Sequence, residues 1–175
     1  GAGTSHRLMH NTIARNRTLM GGWTQGGIAV SGQASIINTI IVSNTPEAVS
    51  GGAISLNGTL WFGNGTNTVG NVTTGTVNVF ANPLFAADGY HLSAASPAID
   101  AGVSVASSSA TDADIDGTAR PAAYGFDIGA DERAGTALIL LKQPSAATLT
   151  PNGIVTYAIT LTVANSAANN LVLTD

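Results

Sequence analysis

The chain has 175 residues, of which only 9% are charged, with a net charge of −4 at pH 7 and no cysteine. This composition excludes disulfides and zinc–thiolate sites, gives no basic footprint for nucleic-acid binding, and contains no apolar run near the roughly 18 residues that cross a bilayer. Because solubility then rests on hydroxyl and amide groups rather than on the roughly 25% charged residues of typical soluble proteins, we expect an extracellular or cell-surface protein.

Residues 1–85 contain short β-branched runs separated by glycine and asparagine. The tripeptide NTI at 11–13 recurs at 38–40, an interval of 27 residues, and GGIAVSG at 26–32 recurs as GGAISLNG at 51–58, an interval of 25. A period in the mid-twenties is too short for two helices. It fits three short strands with three turns, and it therefore predicts coils of a parallel β-helix over residues 1–85.

The most apolar run of this region is ASIINTIIVSN, at 34–44. An almost continuous apolar run predicts a strand that is buried on both faces. Within it, Asn38 and Asn44 are candidates for turn positions, because asparagine tolerates left-handed backbone and can stack in ladders between coils.

The next segment carries four ordered motifs, NPLF (82–85), YHLSAASPAIDAG (90–102), DIDGTARP (114–121) and FDIGADE (126–132). In this order they resemble the C-terminal end of right-handed parallel β-helix repeat proteins of bacterial surfaces, which are often followed by an anchor module. The resemblance implies that residues 86–135 are a covering segment for the end of the β-helix. Asp131 departs from the family pattern, which usually has tyrosine there.

Residues 136–175 form a third region. The stretch GIVTYAITLTVAN alternates apolar and polar residues, which predicts a half-buried antiparallel strand over 154–163. With ALILLKQP before it and NNLVLTD after it, the region resembles the opening of an Ig-like repeat found in tandem on bacterial surface proteins. A sandwich of this kind needs about seven strands. We therefore expect this incomplete unit to be completed by a longer natural chain or by β-augmentation from another subunit.

The acidic stretch TDADIDGTARP, at 111–121, allows two interpretations. Asp112, Asp114 and Asp116 precede Gly117 with the spacing of the first half of a calcium loop, although the twelfth position holds Ala123 instead of glutamate. The interpretation that we favour is structural, with Arg120 as counter-charge to Asp100, Asp116 or Asp127. We expect no other cofactor.

Several further residues are candidates for a function. A catalytic β-helix would use basic residues near the N-terminus, which are His6, His10, Arg7, Arg15 and Arg17. No acidic residue precedes Glu47 to face them, so we expect no catalysis. A sugar-binding strip, a coil end or a subunit contact could be formed by the aromatic residues Trp23, Trp61, Phe62 and Tyr90. Sequons for N-glycosylation begin at Asn16, Asn57, Asn64 and Asn71.

The sequence therefore predicts an all-β protein with a right-handed parallel β-helix, its covering segment, and a partial Ig-like unit. The expected role is non-catalytic: a cell-surface stalk, an adhesin, or a filament subunit that self-associates by strand complementation, with glycans as further partners. Two alternatives remain open. One is a fragment of a polysaccharide lyase or hydrolase whose catalytic coils lie upstream, and the other is a sugar-binding adhesin.

Overall fold

The computed structural model describes residues 5–18, 25–106, 112–122, 124–134, 137–144 and 157–164. Within these ranges the chain forms eight β-strands and no helix, so the all-β class is confirmed. The described part therefore also contains no helix that is long and apolar enough to cross a membrane. The chain divides into two compact units, Gly1–Arg133 and Ala134–Asp175.

Unit 1 contains a six-stranded sheet in which every strand pairing is parallel. Its strands are β1 (Ser5–Met9), β2 (Thr12–Ala14), β3 (Gln25–Val42), β4 (Glu47–Phe62), β5 (Thr66–Thr74) and β6 (Asn78–Phe80). Strands β1 and β2 pair in succession with β3, β3 pairs with β4, and β5 and β6 pair in succession with β4. The sheet therefore has four layers: layer 1 is β1 and β2, layer 2 is β3, layer 3 is β4, and layer 4 is β5 and β6.

The spacing between layers differs from the predicted period. Ser5 pairs with Gln33, Ile36 with Leu56, and Leu56 with Thr74, which gives offsets of 28, 20 and 18 residues. A single period in the mid-twenties is therefore wrong. The register shifts beside the glycine runs, between Gln25 and Ile28, Val30 and Gln33, and Gly51 and Ile54. Because of these irregularities, residues that match in the sequence repeat are not the residues that pair by hydrogen bonds.

Left-handed backbone recurs at the same place in successive layers. His10, Asn38 and Gly58 have φ of 53°, 48° and 66°, and they are separated by 28 and 20 residues, as the strand register requires. A second column has φ of 59°, 56° and 62° at Arg15, Ser43 and Gly63. The chain changes direction at each column because left-handed backbone interrupts an extended strand. Asn38 therefore occupies the left-handed turn position that the sequence predicts.

An asparagine ladder follows the second column. The backbone and side-chain N–H groups of Asn16 both donate to Oδ1 of Asn44, at 3.0 Å each. The corresponding groups of Asn44 donate to Oδ1 of Asn64, at 2.9 and 3.3 Å. Asn44 is fully buried, and its predicted place in a ladder between layers is confirmed.

The apolar run of β3, residues 34–42, is buried on both faces, as the sequence predicts. Ile36 and Ile41 belong to one apolar cluster, with Leu56 of layer 3, whereas Ile40 and Val42 belong to another. The full clusters are Ile36, Ile41, Ala48, Val49, Ile54, Leu56 and Trp61, and Ile40, Val42, Leu60, Leu92, Ala98 and Ile128. The second cluster joins layers 2 and 3 to residues from 92 onwards, so the later segment packs on one face of the sheet.

The described residues from 81 to 134 form turns and isolated bridges instead of strands. This segment attaches to the first left-handed column: the N–H of Gly129 donates to the carbonyl of Asn38 at 2.9 Å, and the amide of Asn38 exchanges two hydrogen bonds of 2.8 Å with the backbone of Val103. The N–H of Ala130 donates to the hydroxyl of Thr12 in layer 1, at 3.1 Å. These bonds position the charged groups of the segment against the sheet.

The described part of unit 2 contains one antiparallel pair, β7 (Ala137–Pro144) and β8 (Tyr157–Ala164), with Ala137 opposite Ala164 and Pro144 opposite Tyr157. The antiparallel strand predicted over 154–163 is confirmed for its part from 157 onwards. Ile159, which the alternation places on the apolar face, is 48% exposed. The segment NNLVLTD, which contributes to the resemblance to an Ig-like repeat, lies outside the described residues.

Candidate functional site

Arg120 and Glu132 form a buried ion pair at the centre of the segment that covers the sheet. Nη1 of Arg120 lies 2.7 Å from Oε2 of Glu132, and their side chains are 1% and 0% exposed. Nη2 of Arg120 also donates to the carbonyls of Ala130 and Gly129, at 2.6 and 3.2 Å. Glu132 accepts from the N–H groups of Ala122 and Asp127, at 3.0 Å each. The pair therefore fixes the backbone at Ala122, Asp127, Gly129 and Ala130.

The predicted partners of Arg120 were wrong, because its carboxylate partner is Glu132 instead of Asp100, Asp116 or Asp127. Asp100 accepts from the N–H groups of Tyr124 and Gly125, at 3.2 and 2.9 Å. Asp127 accepts from the N–H groups of Asp100 and Arg133, at 2.7 and 2.6 Å. These aspartates are held by backbone donors, which can compensate a buried carboxylate as a cation does.

Residues 112–120 form a tight hairpin around Gly117, which has a φ of 87°. Oδ1 of Asp114 accepts from the N–H groups of Asp116 and Thr118, at 2.8 and 2.7 Å, and Oδ2 accepts from the N–H of Glu132, at 3.0 Å. Partial burial raises the pKa of Asp114, but these donors outweigh it, and the pKa lies below its ordinary value.

The calcium loop predicted from Asp112, Asp114 and Asp116 does not assemble as a group of converging donors. The carboxylate of Asp116 binds His91, with Oδ2 2.6 Å from Nε2. Among the described residues, the group whose ligand atoms lie within 4.8 Å of one another is His91, Asp116 and Asp131. Of the three predicted ligands, only Asp116 belongs to it.

His91 lies between two carboxylates. Its Nδ1 is 2.7 Å from Oδ2 of Asp88, and its ring lies beside Tyr90, with centroids 4.3 Å apart. Hydrogen bonds to Asp88 and then Asp116 raise the pKa of His91 to about 9. The N–H of Tyr90 and the contacts with His91 lower the pKa of Asp88 to about 2. In the absence of a competing ligand, His91 is therefore an imidazolium at neutral pH.

Two other titratable groups are buried nearby. Burial, helped by the charge of Arg120, lowers the pKa of His10 to about 4, and the ring lies 5.5 Å from that of Phe126. Burial raises the pKa of Asp127 to about 7, against the opposing effect of its N–H donors Arg133 and Asp100. The buried network thus contains a neutral histidine and an aspartate that titrates near neutrality.

The basic residues considered for catalysis do not converge on a cleft. His6 and Arg7 are exposed on β1, and Arg15 and Arg17 are exposed beyond β2. The guanidinium of Arg15 donates to the carbonyl of Gly89, at 2.9 Å. His10, by contrast, is partly buried at the first left-handed column. His6, Arg7 and Arg17 are therefore exposed surface residues, whereas Arg15 also contacts the segment that covers the sheet.

The candidate aromatic residues that the structure describes, Trp61, Phe62 and Tyr90, do not form one continuous exposed strip. Trp61 is 2% exposed and belongs to the core, with its Nε1 3.3 Å from Oδ1 of Asn78. Phe62 and Tyr90 are 44% and 47% exposed, and Phe62 borders a shallow groove of about 250 Å³ together with Phe80. Trp23 lies outside the described residues. Of the three candidate aromatic residues in the described ranges, Trp61 is unsuitable for sugar recognition because its ring is buried.

The four sequon asparagines have different environments. Asn71 and Asn16 are exposed, whereas Asn57 and Asn64 are partly buried. The amide of Asn64 donates to the carbonyl of Ile41 and to Asn67, at 2.8 and 3.0 Å. A glycan on Asn64 would replace one of these donors, so Asn71 is the sequon whose modification disturbs the layers least.

Sequence reasoning missed four of the charged residues that organise this region: Asp88, His91, Asp131 and Glu132. One signal was present for the first two, because Asp88 precedes His91 by three residues and its Oδ1 accepts from the N–H groups of Tyr90 and His91, at 3.0 Å each, which is the turn that aspartate favours. Asp131 and Glu132 gave no comparable signal.

No protein-family model, curated protein or solved structure matches the chain.

Proposed function

We propose that the chain is a non-catalytic structural component of a bacterial cell surface, a stalk, adhesin or filament subunit, built on a right-handed parallel β-helix. The observation that carries this proposal is the repetition of register between layers. Strand pairing, two left-handed columns and the asparagine ladder all recur at matching positions in successive layers. A chain that stacks in this way forms a quasi-one-dimensional scaffold whose length follows from the number of coils.

The charged groups support a structural role. Arg120 and Glu132 are buried together, and Asp100, Asp114 and Asp127 accept backbone hydrogen bonds. A general base or nucleophile needs an accessible atom beside a substrate cleft. Here the Nη groups of Arg120 and the carboxylate oxygens of the acidic side chains already bind partners within the described residues of the segment from 86 to 133.

Self-association is supported by the open edges of the sheet. Within the described residues, β5 and β6 pair only with β4, and β1 and β2 pair only with β3. Layer 4 also exposes Val69 and Phe80, which are 40% and 72% accessible. Unpaired strand edges with exposed apolar side chains are templates for pairing with another chain. Layer 4 of one copy therefore pairs with layer 1 of the next in this proposal.

Contact between layer 4 and layer 1 is heterologous, and heterologous contacts that do not close produce filaments. The two surfaces differ in charge: residues 5–18 contain Arg7, Arg15 and Arg17 and no acidic residue, whereas residues 66–80 contain no charged residue. Substitutions in layer 4 can therefore be made repulsive or attractive towards the same arginines.

Unit 2 offers a second place for self-association. A two-stranded sheet is only marginally stable alone, and a neighbouring copy can extend the sheet of β7 and β8 by strand addition.

The test compares two double variants, V69K/F80K and V69E/F80E, with the unmodified chain by sedimentation velocity and negative-stain electron microscopy over a range of concentrations. Both variants remove the same two apolar side chains, so the comparison isolates the sign of the charge. We expect concentration-dependent linear assemblies for the unmodified chain, loss of assembly for the lysine variant, and recovery for the glutamate variant that weakens at high salt. Monodisperse single particles of the unmodified chain at every concentration would refute the self-association proposal.

A further inference from the structure

We propose that His91, Asp116 and Asp131 bind one divalent transition-metal ion, with Asp88 as the outer residue that orients the imidazole. The three residues come from separate parts of the segment that covers the sheet, yet one ligand atom from each lies within 4.8 Å of the others. Each residue supplies a donor type that such ions bind, one imidazole nitrogen and two carboxylate oxygens.

The orientation of His91 is the first observation in support. Nδ1 is held by Oδ2 of Asp88 at 2.7 Å, and Asp88 is itself fixed by the N–H groups of Tyr90 and His91. Metal-binding histidines characteristically give their second ring nitrogen to a carboxylate, which fixes the tautomer and directs the other nitrogen at the ion. With Nδ1 occupied by Asp88, Nε2 faces Asp116, at 2.6 Å.

The burial of Asp131 is a second and independent observation. This residue is only 7% exposed, and its Oδ2 accepts one backbone hydrogen bond, from Leu92 at 2.7 Å. Among the described residues, no lysine, arginine or histidine nitrogen lies within 4.0 Å of its carboxylate. A buried carboxylate needs compensation by a cation or by several donors, and a metal ion at this position supplies the cation.

The donor set indicates the class of metal. Calcium and magnesium prefer oxygen ligands alone, whereas a site with an imidazole and two carboxylates suits Zn²⁺ and similar borderline ions. Ligand distances to Zn²⁺ are about 2.0–2.2 Å, so the three donor atoms would adjust around the ion. Asp116 has the freedom to do so because its side chain is 57% exposed. The ion replaces a proton on Nε2, so binding strengthens as the pH rises.

The ion would connect three parts of the covering segment, around residues 91, 116 and 131. A ligand that binds the folded state and not the unfolded state raises stability by mass action. Metal binding is therefore expected to stabilise the packing of this segment on the sheet. This role is independent of the self-association proposed above, because its residues lie outside layers 1 and 4.

The test is isothermal titration of the metal-stripped chain with ZnCl₂, together with thermal unfolding at several Zn²⁺ concentrations. We expect one saturable site per chain and a rise in melting temperature. H91Q and D116N should each abolish the site, and D88N should weaken binding about 10–100-fold, as for other outer residues. The matched control is H6Q, because His6 is an exposed histidine on β1 and its loss should leave the site intact.

Three results would overturn the proposal: no saturable Zn²⁺ binding by the unmodified chain, equal binding by H91Q and the unmodified chain, or loss of binding in H6Q. Circular dichroism of each metal-free variant establishes that it has folded before it is titrated. A parallel titration with CaCl₂ distinguishes the sites, since saturable calcium binding that D114N removes, without zinc binding, would assign the metal to the aspartate loop and refute the histidine site.

Discussion

Substitution of Asn44 by alanine tests whether the asparagine ladder holds the layers together. The fully buried amide accepts from the two N–H groups of Asn16 at 3.0 Å each and donates to Ile13 and Asn64 at 2.9 and 3.3 Å. Each such bond contributes about 0.5–1.5 kcal/mol net, and a buried group left without a partner costs more. We therefore expect N44A to lower the free energy of unfolding by about 3–4 kcal/mol, a large share of the roughly 5–15 kcal/mol available to a domain.

Urea unfolding measured by tryptophan fluorescence provides the assay, since Trp61 lies in the core of the same layers. The matched control is N71A, which removes an exposed asparagine of β5 and should change the unfolding free energy by no more than about 0.5 kcal/mol. If N44A and N71A were equally stable, the ladder would contribute nothing to the cohesion of the layers, and the reasoning that leads from the ladder to a rigid scaffold would be refuted.

Two further predictions concern the buried charges. R120M leaves the carboxylate of Glu132 without its cation and should cost about 3–5 kcal/mol in urea unfolding; a double variant R120M/E132Q that showed simple additivity would contradict their coupling. Between pH 4 and 6.5, the buried groups His10 and Asp127 make opposed contributions to the pH dependence of unfolding. The pKa of His10 is about 4 in the folded protein against an ordinary 6.5, so its contribution to stability is lost as the pH falls from 6.5 to 4. The pKa of Asp127 is about 7 in the folded protein against an ordinary 3.8, so its contribution to stability is lost as the pH rises from 3.8 to 7. As the pH is raised from 4 to 6.5, the free energy of unfolding should therefore decrease in H10Q, which keeps Asp127, and increase in D127N, which keeps His10. Identical pH profiles for the two variants would refute this assignment.

Local sequence features predicted local structure well. Asn38 is a left-handed turn position because its short amide tolerates that backbone, and the apolar run around Ile36 and Ile40 is a strand buried on both faces. The register of the layers was not predictable from similarity of the glycine runs. Register depends on which residues are left unpaired in each bulge, and Thr12 consequently lies opposite Ile40 instead of the matching Thr39.

The charged network was predicted in kind but not in its pairings. Arg120 was identified as the counter-charge because it is the only lysine or arginine between Arg17 and Arg133, and the cost of an unpaired buried charge applies to any fold. The choice among acidic partners depends on the turns of residues 124–131, after which Glu132 lies 2.7 Å from the guanidinium. The spacing of the acidic residues in the sequence does not show which of them will contact Arg120.

The aspartates of TDADIDGTARP show why a spacing motif is insufficient for a metal site. A calcium loop works by directing alternating carboxylates at one point, but here the hairpin around Gly117 directs Asp114 to backbone N–H groups and Asp116 to His91. The three donors to Asp114 stabilise its charge as an ion would, so this carboxylate has no need of calcium. Asp131, by contrast, is buried with one backbone donor to its Oδ2 and, among the described residues, no cationic side chain within 4.0 Å, and for this reason we propose the metal ion beside His91 and not in the aspartate loop.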